Sequence, residues 1–213
     1  MTARSVHVAV YDTLADWEVG HAIAHVRGEA WQREPGRYDV ATVAETDGPV
    51  TTAGGMRILP DLVLDRLDPA DSAMLILPGA ATWNAEEGNA AFARAARRFL
   101  AAGVPVAAIC GATFGLAREG LLNDRPHTSG AVEYLSAAPG YTGAAHYRDE
   151  PAVADGDLIT ARPTAPVEFA RAVLARLDVY EPKVLDAWYR LFARQDAAAY
   201  WELAAAEAAR AAR

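Results

Sequence analysis

Short apolar runs alternate with amphipathic stretches along the first 120 residues. Residues 6–11 (Val-His-Val-Ala-Val-Tyr) are β-branched and almost continuously apolar, the pattern of a strand covered on both faces. Residues 16–27 follow as a helix, with Trp17, Ile23 and Ala24 on a packed surface and Gly28 as its stop. Residues 38–44 predict a second strand. Two short β segments, 51–53 and 56–59, flank Gly54-Gly55 and predict a hairpin. Pro60-Asp61 then opens a short helix or turn. Residues 74–77 read as a buried strand stopped by Pro78-Gly79. Residues 87–102 read as a helix with Ala91, Phe92, Ala95, Phe99 and Leu100 toward one side, ended by Gly103. Residues 104–109 form the next strand, with Pro105 near its start where a missing N–H is tolerated, and 111–118 the helix after it.

Past Gly120 the pattern loosens. Residues 131–137 predict a short helix. Residues 144–147, Val153 and 158–161 predict short strands, the last two separated by the turn Asp155-Gly156-Asp157. Residues 166–177 predict a helix that packs Val167, Phe169, Ala170, Val173 and Leu174. From Pro182 the composition shifts to aromatics (Trp188, Tyr189, Phe192, Tyr200, Trp201) and then to alanine, which predicts two helices broken near Gln195-Asp196. Strand and helix in alternation call for a parallel sheet with helices on both faces. The expected organisation is one domain over residues 1–180 and a helical C-terminal extension, 181–213, packed on that domain or at a dimer interface.

Composition narrows the classes of function. Twenty Lys and Arg against 28 Asp and Glu leave a net charge of −8, which argues against a nucleic-acid partner. No stretch approaches 18 uncharged apolar residues, so no membrane span is expected. The first residues enter a strand pattern without the apolar core of a signal peptide, and a cytoplasmic location is expected. With one cysteine, Cys110, the chain has neither an internal disulfide nor a thiolate-cluster metal site.

Cys110 sits where an apolar strand meets a helix that opens with Gly111. Such a junction lifts a side chain above the sheet edge, as in the nucleophile elbow of hydrolases, although the G-x-S-x-G spacing is absent. The unpaired N–H groups of the helix start favour a thiolate. The other reading is a buried small hydrophobe. Open parallel sheets place their sites beyond the strands' carboxyl ends, where Leu77-Pro78-Gly79-Ala80 also ends. There the N–H groups of Gly79 or Ala80, with that of Gly111, are positioned to surround an oxyanion, and Trp83 and Asn84 in the next loop are pocket candidates. The alternative for this segment is a plain strand-end turn. Glu18, in the first turn of the first helix, is the candidate to hydrogen-bond the thiol and carry a proton. Asp16 competes for that role, or caps the helix. His127, in a loop, is a candidate base or substrate donor. His21 and His25 share a helix face with Glu18, an arrangement open to zinc, whereas His7 and His146 fall in strands and read as structural. Dinucleotide, P-loop, zinc-protease and EF-hand fingerprints are absent, and no cofactor is expected.

Together, Asp16-Trp17-Glu18, Leu75-Ile76-Leu77-Pro78-Gly79 and Val106-Ala107-Ala108-Ile109-Cys110-Gly111 resemble the DJ-1/PfpI superfamily, within the class I glutamine-amidotransferase-like fold. The resemblance spans about residues 6–177 and continues through Gly120-Leu121-Leu122, Thr128-Ser129, residues 157–161 and residues 166–170. It implies an α/β, flavodoxin-like three-layer sandwich with a mainly parallel sheet, and a cytoplasmic homodimer. It also implies Cys110 as nucleophile, Glu18 as its hydrogen-bond partner and Gly79 beside the oxyanion. The chain departs from the pattern at Gly111 and Gly130, where relatives carry a histidine, and at Ala80, where they carry a second glycine. No Cys-His-acid triad is readable. The implied function is a cysteine-dependent lyase or hydrolase acting on a small electrophilic carbonyl compound, such as cofactor-free glyoxalase-type conversion of a 2-oxoaldehyde to a 2-hydroxy acid through a Cys110 hemithioacetal. The alternatives are a thiol hydrolase or amidase, and a redox-sensing stress protein that oxidises Cys110.

Overall fold

A computed structural model describes residues 3–212. The chain begins with β1 (Arg4–Ala9), α1 (Asp16–Arg27) and β2 (Tyr38–Ala44), followed by the hairpin strands β3 (Val50–Thr51) and β4 (Arg57–Ile58). Next come β5 (Leu62–Val63), β6 (Ser72–Leu77), α2 (Ala90–Ala101), β7 (Val106–Ile109), α3 (Gly111–Arg118) and α4 (Val132–Ser136). The chain closes with β8 (Ala152–Asp155), β9 (Leu158–Ala161), α5 (Pro166–Arg176), α6 (Pro182–Arg194) and α7 (Ala197–Ala211). Seven strands form one sheet in the order β5-β2-β1-β6-β7-β9-β8, parallel throughout except for β8, which pairs antiparallel with β9. This is the expected flavodoxin-like sandwich.

The two faces of the sheet explain the continuous apolar runs. In β6 and β7, Leu75, Leu77, Val106 and Ala108 point to one side and pack with Phe92 and Phe99 of α2 and Leu116 of α3. Their alternates Met74, Ile76, Ala107 and Ile109 point to the other. There they meet Val19, Ala22 and Val26 of α1 and Phe169 and Val173 of α5. Each of the valine, leucine, isoleucine, methionine and phenylalanine side chains among them, fully buried, contributes roughly 1.5–3 kcal/mol relative to exposure. Trp188 of α6 and Leu203 of α7 are buried in the same second core, so both C-terminal helices rest on the α1/α5 side. Gln195, in the left-handed region at φ 55°, breaks α6 from α7, and the Asp196 carboxylate accepts the Ala198 N–H at 3.0 Å to cap α7.

Several boundaries differ from the sequence reading. β1 stops at Ala9, α2 starts at Ala90 and β7 starts at Val106. The turn at Pro60-Asp61 leads into β5, a two-residue edge strand too short to leave a pattern. Residues 144–147 are not a strand: Gly143–His146 is a 3-10 turn, and Tyr147 makes a single bridge to His127. His146 therefore lies in a turn. His7 is structural as expected, its Nδ1 paired with Ser72 Oγ at 2.8 Å. No helix among the described residues is long and apolar enough to cross a membrane.

Candidate functional site

Cys110 follows β7 directly and precedes the first residue of α3 with φ 59° and ψ −125°. A residue with a Cβ reaches that region only at a cost, of order 1–3 kcal/mol. The turn is held from both sides. The Cys110 N–H donates to Ala161 O of β9 at 3.0 Å, and its carbonyl accepts the Thr113 N–H at 3.1 Å and the Thr113 hydroxyl at 2.6 Å. Thr113 Oγ1 also meets Ser129 Oγ at 2.7 Å. The Thr128-Ser129 segment thus braces the turn from outside the site.

Glu18 is fully buried, 0 % exposed, although it belongs to the first turn of a surface helix. Its Oε2 accepts the Gly79 N–H at 2.6 Å, while Oε1 has no nitrogen or oxygen donor. Gly79 lies between this carboxyl and the thiol. A Cβ at that position would be 2.7 Å from Glu18 Oε2 and 2.9 Å from Cys110 Sγ. Only glycine leaves room for the two groups to converge. Burial raises the Glu18 pKa to about 7, against the pull of the Gly79 N–H and the Cys110 thiol, which favour the carboxylate. Burial, then the Glu18 charge, push the thiol up; the Gly111 N–H at the start of α3 acts the other way and is outweighed. The expected helix-stabilised thiolate is therefore corrected: with Glu18 ionised, the thiol keeps its proton. The two groups titrate as a pair.

Asp16, the competitor of Glu18, faces elsewhere. Its Oδ2 accepts the Gly54 N–H at 2.7 Å, and hydrogen bonding from Thr52 lowers its pKa. It ties the β3–β4 hairpin to the start of α1, placing Ala53 at the rim of a cavity of about 710 Å³. Cys110 and Glu18 lie in that cavity with Gly79, Ala80, Gly111 and Asn84. The Gly79 N–H is already taken by Glu18, which corrects its expected role as an oxyanion donor. The N–H groups of Ala80 and Gly111 donate to no protein oxygen among the described residues and remain available.

Two other candidates are moved out of the site. Trp83 is completely buried, its Nε1 donating to Pro78 O at 2.9 Å and to Tyr11 OH at 3.0 Å. Its ring fits because residues 111 and 115 are glycine; a Cβ at Gly115 would lie 2.1 Å from Trp83 Cζ3. His127 is also completely buried, with Nδ1 at 2.8 Å from Arg125 O and Nε2 at 2.8 Å from Tyr141 OH. Burial lowers its pKa, and it does not line the cavity. His21 and His25 do not join Glu18. Their rings stack at 6.4 Å and pack on Trp188 and Phe192 of α6. Among the described residues no cluster of three His, Cys, Asp or Glu side chains is placed to hold a metal.

Sequence reading missed Tyr134 and misplaced Trp17. Trp17 is 59 % exposed at the cavity wall rather than packed, with its Nε1 donating to Pro163 O at 3.4 Å. Tyr134, from α4, lines another part of the cavity and donates its hydroxyl to Asn84 Oδ1 at 2.9 Å. The position of Trp17 beside Glu18 was a usable signal. Nothing local marked Tyr134.

The sequence pattern of the DJ-1/PfpI family matches residues 4–176. An uncharacterized protease, YoaZ, of Bacillus subtilis (strain 168) is 40% identical over 205 residues, 95% of this chain and 97% of that one. A second from the same organism, YdeA, is 30% identical, covering 83% of this chain and 85% of that one. Among solved structures, a thiJ/pfpI family protein from Bacillus anthracis superposes with a TM-score of 0.89 at 36% identity, covering 97% of this chain and 98% of the other. The DJ-1 superfamily protein Atu0886 from Agrobacterium tumefaciens does so with 0.81 at 34%, covering 90% and 98%. With the family's sequence pattern matched over residues 4–176 and its overall fold shared with these structures, the chain belongs to the DJ-1/PfpI family.

Proposed function

We propose that the protein is a Cys110-dependent hydrolase of small amides or esters, with Glu18 as its proton carrier. The observation that carries this reading is the convergence of a buried carboxyl and a thiol on Gly79 at the base of a cavity. The protease wording attached to the two Bacillus subtilis relatives supports the hydrolase class. Cys110 Sγ attacks the acyl carbon as its proton passes to Glu18, and the carbonyl oxygen takes negative charge facing the N–H groups of Ala80 and Gly111. The bond to the leaving amine or alcohol breaks, and that group takes the proton back from Glu18. Water then attacks the thioester carbon and gives a proton to Glu18. The carbon–sulfur bond breaks, the acid leaves, and the proton returns to sulfur. A carboxyl with a pKa near 7 suits both directions of this transfer.

A glyoxalase-type conversion is the second reading, favoured by one observation: among the described residues no imidazole lines the cavity. Rearranging a 2-oxoaldehyde through a Cys110 hemithioacetal shifts protons between its two carbonyl carbons to give a Cys110 thioester; water then attacks that carbon, the carbon–sulfur bond breaks and the proton returns to sulfur, so no amine or alcohol has to be protonated. The test runs wild type and Cys110→Ala side by side on a panel of aryl esters and anilides and on methylglyoxal, without added thiol or metal. Cys110-dependent release of acid from the esters or anilides is expected. Cys110-dependent lactate with no hydrolysis replaces the first reading by the second, and no Cys110-dependent product from either overturns both.

A further inference from the structure

We infer that the cavity above Cys110 is built for an uncharged substrate bearing an aryl or similarly broad apolar group, and that it discriminates against carboxylate-bearing compounds. This rests on reading Cys110 as the nucleophile. The walls are mostly apolar: Ala15, Ala53, Ala80 and Pro163 line the cavity with the rings of Trp17 and Tyr134, and Thr13 and Asn84 add neutral polar groups. Among the described residues no Lys, Arg or His side chain lines the cavity, and Glu18 is the one carboxyl group that does. A substrate carboxylate would lose water there, meet no cation and face the Glu18 charge, a combination that buried sites avoid. An amide or ester with a neutral side chain meets none of these costs.

The two aromatic walls are held in place. The Trp17 Nε1 is engaged by Pro163 O at 3.4 Å and the Tyr134 hydroxyl by Asn84 Oδ1 at 2.9 Å, so the polar end of each ring is occupied and each ring lines the cavity. Behind Tyr134 stands Phe114, with ring centroids 5.0 Å apart. A preset pair of aromatic walls lowers the entropy cost of binding a flat group. The volume of about 710 Å³ is in the range of pockets for ligands far larger than a three-carbon aldehyde, roughly 300–1,000 Å³.

The test reads the cavity without needing turnover. N-benzyl-chloroacetamide and chloroacetylglycine carry the same reactive carbon, one with a neutral aryl group and one with a carboxylate. In both, Cys110 sulfur forms a bond to the methylene carbon, the carbon–chlorine bond breaks, chloride leaves and the thiol proton passes to Glu18 or water. Alkylation of Cys110 is followed by mass spectrometry, and each rate is divided by that of the same reagent with glutathione. The benzyl reagent is expected to react about tenfold faster or more, with saturation, the equivalent of one well-packed ring. Trp17→Ala should shrink that preference to about threefold or less, and Trp17→Phe should keep most of it. A normalised ratio near one, or one favouring chloroacetylglycine, overturns the inference and leaves the hydrolase reading standing. A strong benzyl preference with no turnover on any ester or anilide removes the hydrolase reading and leaves the inference. A Cys110 that neither reagent reaches in the folded protein removes both.

Discussion

Glu18 accepts the Gly79 N–H at 2.6 Å, which commits an amide packed against the Cys110 side chain to a carboxylate before any substrate arrives. In the proposed hydrolase the glycine therefore serves Glu18, and charge on a substrate oxygen would fall to the N–H groups of Ala80 and Gly111. The same bond fixes the carboxyl by one oxygen and leaves Oε1 for the exchange of protons.

Glu18→Gln should keep an acceptor for the Gly79 N–H and lose the proton transfer. Turnover is expected to fall by roughly 10²–10⁴-fold, the usual contribution of a positioned acid–base group. In the wild type, reactivity of Cys110 should rise with pH as the pair loses its first proton near pH 7, whichever of the two groups holds the remaining one. That limb should vanish in Glu18→Gln and be replaced by one at higher pH, where the buried thiol itself ionises. Iodoacetamide kinetics against pH check this; an unchanged limb near 7 would remove Glu18 from the pair.

Burying Glu18 should also leave a mark on stability. Its pKa is raised from 4.5 unfolded to about 7 folded, so the folded state binds the proton more tightly. Stability from this group is fully present below about pH 4.5, is lost as pH rises toward 7, and stays lost above. A shift of this size is worth about 3 kcal/mol across that window. Urea unfolding at pH 4.5 and pH 8 should show wild type losing stability relative to Glu18→Gln by an amount of this order. Parallel curves for the two proteins would contradict the burial argument.

Two glycine substitutions separate packing from chemistry. Gly115→Ala places a Cβ against the Trp83 ring and should cost roughly 1–3 kcal/mol or more, read as a lower urea midpoint, with the pH limb of Cys110 reactivity unchanged in position. Gly79→Ala drives a Cβ between Glu18 and Cys110 and should shift or abolish that limb.

His127 offers the opposite control. It joins Arg125 O to Tyr141 OH and lies outside the cavity. His127→Gln should leave the Cys110 pH profile where it is and lower stability by about 1 kcal/mol, the worth of a buried hydrogen bond. A displaced profile would bring the imidazole back into the mechanism.

The alternation of apolar runs made the parallel sheet legible, because strands buried on both faces need side chains such as those of residues 74–77 and 106–109 on every position. Cys110 was legible from its place between such a strand and a glycine. The local pattern left Asp16 and Glu18 as rivals, since both stand in the first turn of α1; the resemblance pointed to Glu18, and in the structure the approach of Gly54 to one and Gly79 to the other separates them. Trp83 read as a pocket residue because it sits in a polar loop. Its burial depends on glycines at 111 and 115, a long-range fit that no local pattern encodes. Tyr134 reaches the cavity through the packing of a five-residue helix too short to announce a face.

The stack of His21 and His25 against Trp188 and Phe192 has a consequence for how the protein comes into being. The helix that presents Glu18 leaves the ribosome well before α6, which supplies the aromatic support behind it. Until residue 192 has emerged, a nascent chain holds Glu18 on a helix with one side unbacked. A chain cut before residue 182 would keep every residue that lines the cavity and lose the aromatic support behind its first helix.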